Sequence, residues 1–208
     1  MKPETRNLEL GTWNLELGTW NLELGTWNLK LETLLDSLIT SKTRLKLLLK
    51  FFLNASTSAY LRNLEEEFGE STNAIRVELN RLEEAGFLTS EQVANRKVYK
   101  ANTNHPLFPD INNIIRKYIG IDRIVEEVIQ KLGDVEEVYL TGRLARGLNA
   151  DVINIVIVAD NIDIPYLDRL VEKASKLISR KITYAITTRS SAPEVLGLLP
   201  EKLLIYKA

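Results

Sequence analysis

Residues 58–100 read SAYLRNLEEEFGESTNAIRVELNRLEEAGFLTSEQVANRKVYK, and two helical periods with a break between them can be laid on this stretch. Tyr60, Leu61, Leu64 and Phe68 recur at helical spacing behind Ser58, a residue type suited to an N-cap, and Gly69 closes the segment. Ser71 then caps a second helix whose inward stripe is Ile75, Leu79 and Leu82, with Ala85 leading into Gly86 as the stop. From Phe87 to Lys100 the pattern becomes that of a hairpin, with LTS and KVYKA flanking a polar tip from Gln92 to Arg96. The expected order is helix, short turn, helix, hairpin.

Such an order reads as a winged helix-turn-helix, a unit that lays its second helix in the DNA major groove and rests its hairpin on the flanking backbone. Thr72, Asn73, Arg76 and Asn80 face outward at the start of that helix. All four donate hydrogen bonds, and Arg and Asn make bidentate contacts to base edges. Arg96 and Lys97, at the hairpin tip, suit phosphate contact. These six are the candidate DNA-binding residues. The alternative is that they are ordinary solvated positions of a protein-interaction domain, since winged helices also serve as pure protein contacts.

The chain has 208 residues, enough for one large or two small domains, with a formal net charge of −1. No global basic field advertises nucleic acid. Residues 41–100 carry ten Lys and Arg against eight Asp and Glu, so binding would depend on where the charges sit. There is no cysteine and one histidine, His105, placed before Pro106 and read as a loop residue. Structural disulfides and cysteine-rich zinc sites are therefore excluded. No cofactor and no metal is expected. A basic region followed by an apolar one is missing from the N-terminus, and LKLLLKFFL is too short to span a bilayer. The expected setting is cytoplasmic, with no membrane partner.

Residues 7–27 are three copies of NLELGTW, followed by a diverged fourth, NLKLETL. A strand cannot keep one face through a seven-residue repeat, because its alternation inverts in every copy. A helix can: Leu10, Trp13, Leu17, Trp20, Leu24, Trp27, Leu31 and Leu34 form a heptad seam. Gly11, Gly18 and Gly25 each cost about 1 kcal/mol relative to Ala, so the seam needs a partner, and a disordered tail or a turn-rich form are the alternatives. The repeats are expected to add to self-association.

Downstream, KTRLKLLLKFFLN after Ser41 gives a first helix with Leu45, Leu48, Leu49 and Phe52 inward. After the hairpin come a stiff crossing with two prolines, an amphipathic helix on Ile111, Ile114, Ile115, Tyr118 and Ile119, and another from Ile121 to Leu132. The final third reads as a small α/β unit: strands at 135–141, 152–158 and 182–187, a helix at 165–179, a short helix at 193–199 and a last strand at 203–206.

Within that third, the order helix, strand, TGRLARGLNADVINIVIV, helix, strand resembles the minimal nucleotidyltransferase domain of the polymerase-beta superfamily. The stretch from Ser41 to Gly120, with EEAGFLTS and NHPLFPDI, is similar to the winged-helix half of regulators of the ArsR/MarR type that fuse the two domains. In the superfamily a Gly-Ser turn positions a triphosphate, and two or three carboxylates hold magnesium. Here Gly142 matches, Arg143 stands at the serine position, and Ala145, Arg146 and Gly147 match the continuation. The acidic pair falls on Val152 and Asn154, or on Asp151 and Ile153, and is broken in either register. No third carboxylate lies between Lys181 and Arg189. The resemblance therefore implies a degenerate site, a pseudoenzyme. Gly142, Arg143, Arg146 and Gly147 are candidate nucleotide- or phosphate-binding residues, or else Gly142 and Gly147 only shape a turn and Arg146 is solvated.

The expected fold class is α+β: a heptad-repeat extension (1–40), a winged helix domain (41–104), linker helices (105–133) and a nucleotidyltransferase-like domain (134–208). The expected function is a DNA-binding transcriptional regulator, not an enzyme, that binds double-stranded DNA as a homodimer and uses its C-terminal domain for dimerisation or for sensing a nucleotide or phosphate effector. Two alternatives stand beside it, an altered but active nucleotidyltransferase recruited by its winged helix, and a protein-interaction or antitoxin-like scaffold.

Overall fold

A computed structural model describes Ser37 and residues 39–208. The NLELGTW copies and their heptad seam lie outside the described residues. The fold is mixed α+β, with one sheet near each end of the described chain.

Helix α1 (Lys42–Leu48) begins where Ser41 accepts a hydrogen bond from the Arg44 amide at 3.2 Å. It runs into a π-helical turn, Leu49–Leu53, in which all five residues are buried. A π turn is wider than an α turn and is rare outside sites with a particular task. This one turns the Lys50 side chain inward along with its apolar neighbours.

The expected N-cap at Ser58 is not formed. Ser58–Tyr60 is a strand, β1, paired antiparallel with residues 98–100, and the helix that follows, α2 (Leu61–Phe68), starts after it. Pairing with a distant strand satisfies these backbone groups better than a single cap would. Gly69, at φ +62°, ends α2. Helix α3 (Thr72–Glu84) is capped by Ser71, which accepts from the Ala74 amide at 3.2 Å, and buries Ile75, Leu79 and Leu82 as the 3.6-residue period predicts. Strands β2 (Leu88–Val93) and β3 (Arg96–Ala101) form the hairpin, in register from Leu88↔Ala101 to Val93↔Arg96, and the sheet order is β1-β3-β2.

His105 sits in the following loop, its ring 4.3 Å from that of Phe87, and its Nδ1 accepts from the Leu107 amide. Helix α4 (Phe108–Ile119) stops at Gly120, φ +91°. Helix α5 (Ile121–Ile124), a second π-helical turn (Val125–Ile129) and α6 (Gln130–Leu132) follow as one helical run. Next come β4 (Glu137–Thr141), the short α7 (Gly142–Ala145), β5 (Val152–Val158), α8 (Ile164–Leu177), β6 (Lys181–Thr187), α9 (Ala192–Gly197) and β7 (Lys202–Lys207). The second sheet has the order β6-β5-β4-β7. Strands β5 and β6 are parallel, joined through α8, while β4 runs antiparallel to both of its neighbours.

A single apolar cluster runs from Leu47 and Phe52 through Ile115, Ile119 and Ile124 to Ile155 and Ile205, so the two sheets share one continuous core. Short α9 covers part of the other face of the second sheet, where Val156 and Val158 meet Ala192 and Leu196. The rest of that face, near the β4–α7 turn, carries polar residues.

Candidate functional site

Two regions collect the residues singled out by sequence. The first is an open concavity of about 900 Å³ between α2, α3 and the hairpin, which brings Thr72, Arg76 and Asn80 of α3 together with Arg96 and Lys97 of β3. Asn73 is not among its lining residues. The spacing 72, 76, 80 places three α3 side chains one above another on a single helix face. Glu65 and Glu66 of α2 add negative charge at the edge, so the concavity is basic only in part.

Arg96 and Lys97 are neighbours in sequence but leave β3 on opposite faces, as successive strand residues do. The Arg96 guanidinium lies 5.9 Å from the centre of the Tyr60 ring. Lys97 instead extends to α3, its Nζ donating to Glu83 Oε2 at 2.7 Å, while Ser90 Oγ donates to the other carboxylate oxygen at 2.5 Å. The hydrogen bonds from Lys97 and Ser90 hold the Glu83 carboxyl below its ordinary range, against a smaller opposing effect of burial. The bond to Glu83 likewise raises the Lys97 ammonium. Neither residue stands at the tip itself, which is Ala94 and Asn95, with Ala94 at φ +52°.

The second region is the turn after β4. Gly142 has φ +67°, and a Cβ there would lie 3.0 Å from Asn154 Nδ2. Asn154 and Thr183 are partners across the parallel β5–β6 pair, and Thr183 Oγ1 donates to Asn154 Oδ1 at 2.6 Å. Thr141 Oγ1 donates to the Asn154 carbonyl at 3.3 Å. The Gly142 turn therefore faces a neutral carboxamide. Asp151 lies just before β5, exposed, with its carbonyl accepting from the Lys181 amide. Among the described residues no group of three or more His, Cys, Asp or Glu is placed to hold a metal ion.

The rest of the Gly-Arg turn is engaged with the N-terminal elements. The Gly147 face that would carry a Cβ lies against Lys50, 2.5 Å from its Cα and 2.8 Å from its carbonyl oxygen. Asn54 Nδ2 donates to the Ala145 carbonyl at 3.1 Å. Arg146 lies 3.7 Å from Glu67 and 3.3 Å from Glu201, and Glu67 is 2.6 Å from the buried Lys50 ammonium. Arg143 is exposed and lines a crevice of about 180 Å³ with Lys46, Glu67, Phe68 and Asn149. Gly142 thus opens on the sheet face, whereas Arg146 and Gly147 contact α2 and the first π turn. Glu67, Glu83 and Thr183 escaped the sequence reading, because each is defined by partners at least seven positions away and none by a local pattern.

No family model matches this chain, and no curated protein matches it. Among solved structures it is similar to a tri-AMPylated Shewanella oneidensis HEPN toxin in complex with an MNT antitoxin, at 16% identity over 43% of this chain and 71% of that one, TM-score 0.33. It is similar also to the toxin–antitoxin MntA-HepT, at 16% identity over 43% and 71%, TM-score 0.32. A third is a candidate nucleotidyltransferase from Sulfolobus solfataricus, at 27% identity over 42% and 78%, TM-score 0.30. The structures this chain resembles are thus nucleotidyltransferase-like. The expectation that the chain is not an enzyme is withdrawn against these likenesses, one of which is to a candidate nucleotidyltransferase. Among the described residues, no helix is long and apolar enough to cross a membrane.

Proposed function

We propose that residues 41–104 are a winged helix-turn-helix that binds double-stranded DNA, and that the chain acts as a transcriptional regulator in which this unit is joined to a nucleotidyltransferase-like domain over residues 134–208. The carrying observation is the convergence of Thr72, Arg76 and Asn80 with Arg96 around one concavity, from residues of two elements that lie 16 or more positions apart. In this reading α3 enters the major groove by its N-terminal part, Arg76 and Asn80 meet base edges, and Arg96 meets phosphate. A homodimer would present two α3 helices to half-sites about one helical turn apart. Selection of bound sequences from a random duplex pool by the full chain tests it. An enriched inverted repeat supports the reading, and no enrichment removes it.

A second reading places a function at the Gly142 turn, as nucleotidyl transfer or as contact with a protein partner of the toxin–antitoxin kind. It is favoured by the polar face formed by Gly142, Asn154 and Thr183 at the open end of the second sheet. Incubation with labelled nucleoside triphosphates and Mg²⁺ or Mn²⁺ tests the transfer. Labelled product lost on Asn154→Ala would support it.

A further inference from the structure

In the DNA-binding reading, an acidic side chain close to the duplex repels phosphate, and its removal strengthens binding. Glu83 is placed to do the opposite. Strand β1 pairs with β3 only as far as Tyr60↔Val98. Beyond that point the hairpin is two-stranded, and residues 91–97 are all exposed. A lone two-stranded hairpin is marginal in water, so the direction of this arm depends on what ties it down. Glu83, in the last turn of α3, takes a hydrogen bond from Ser90 of β2 on one oxygen and from Lys97 of β3 on the other. Another ion pair of the hairpin, Lys100–Glu91 at 3.4 Å, joins its two strands to each other and not to α3.

We infer that Glu83 is a positioning residue that fixes the hairpin arm relative to α3, through Ser90 and Lys97, so that Arg96 and the tip reach the backbone flanking the base-contacting helix. This rests on the DNA-binding reading proposed above. Lys97 then serves the arm and not the phosphate. Its ammonium is already neutralised by Glu83 and lies over the Tyr99 ring at 5.1 Å. Loss of the tether leaves the number of phosphate contacts per bound complex unchanged while making the bound arrangement rarer.

The test uses the full chain, the selected duplex and fluorescence anisotropy over a salt series, with thermal unfolding as a control on folding. Glu83→Gln is expected to bind about three- to tenfold more weakly, the range of one exposed ion pair and one hydrogen bond lost together, with an unchanged salt slope. Lys97→Gln should behave alike. The double variant Glu83→Lys with Lys97→Glu keeps the wild-type net charge and rebuilds the pair in reverse, and it is expected to recover most of the loss. Tighter or equal binding by Glu83→Gln overturns the inference and leaves Glu83 as an ordinary repelling acid. Should Glu83→Gln fail to fold, the swapped pair decides, and a folded double variant without recovery overturns it equally. Wild type that binds no duplex defeats the DNA reading itself, a result distinct from either.

Discussion

Gly147 rests on Lys50 so closely that a Cβ at residue 147 would stand 2.5 Å from the Lys50 Cα. The contact joins the turn that follows β4 to the π turn after α1, and it ties two segments almost a hundred positions apart. Backbone sits on both sides, so neither can swing away as a flexible side chain would. Three features meet there: the φ of +72° at Gly147, the wide π turn that brings Lys50 inward, and the Asn54 bond to Ala145. The stretch Ala145-Arg146-Gly147 thereby works as a joint between the two sheets.

Gly147→Ala should accordingly cost about 3 kcal/mol or more of unfolding free energy, from overpacking against backbone added to the left-handed φ penalty. Gly69 is the control. It has a similar φ, +62°, but nothing within 4 Å of its Cβ position, so Gly69→Ala should cost only about 1 kcal/mol. Urea unfolding of both variants checks this, and equal losses would mean that the contact with Lys50 carries no weight.

Lys50 is 6% exposed and its ammonium is 2.6 Å from Glu67. Removing one partner of a buried pair leaves an uncompensated charge, so Glu67→Ala should destabilise by about 3 kcal/mol. Replacing Lys50 by Met in the same chain should restore most of that loss, because the charge that needed a partner is gone. Chemical denaturation of the single and double variants measures it.

Glu78 is buried in α3, and burial pushes its carboxyl upward. The hydrogen bonds from Arg44 and Ser41, with the charges of Arg44 and Arg81, more than offset that and hold it below 4.5. A carboxyl lowered by folding contributes stability that is present above its unfolded value and is lost as pH falls through the folded one. Unfolding free energy should therefore fall with pH below about 4.5 in wild type. Glu78→Gln should lower stability at pH 7 and flatten this acid limb, which a pH series of thermal unfolding records.

How much of this was legible in the sequence depends on the range of the interactions involved. Helix α3 declares itself through Ser71, the stripe Ile75, Leu79 and Leu82, and Gly86, all within one local pattern. The hairpin and the strands of the second sheet follow from alternation and apolar runs, whereas the choice of Asn154 over Asp151 as the residue facing Gly142 needs the pairing of β5 with its neighbours. Strand β1 was misread because three residues take strand form only by pairing with residues 98–100. Tyr60 and Leu61 fit a helical period equally well. Likewise Lys97 reads as a free cation until α3 supplies Glu83, and Glu67 and Glu201, the partners of Arg146, come from elements that no local pattern around residue 146 points to. The heptad seam of the repeats lies outside the described residues.

If the concave face of α3 and β3 reads DNA, as proposed above, Arg76 is the residue whose loss reveals it most directly. Anisotropy titrations of wild type, Arg76→Ala, Arg96→Ala and Lys97→Ala on the selected duplex and a scrambled one, across a salt series, measure it directly. Arg76→Ala should lose about 1–3 kcal/mol on the selected duplex and little on the scrambled one. Arg96→Ala should weaken both and lower the salt slope by about one unit, whereas Lys97→Ala, already paired with Glu83, should weaken binding with the slope nearly unchanged. Wild type that shows no salt-dependent binding to any duplex, or Arg76→Ala that binds the selected duplex as well as wild type, would contradict DNA reading by this face.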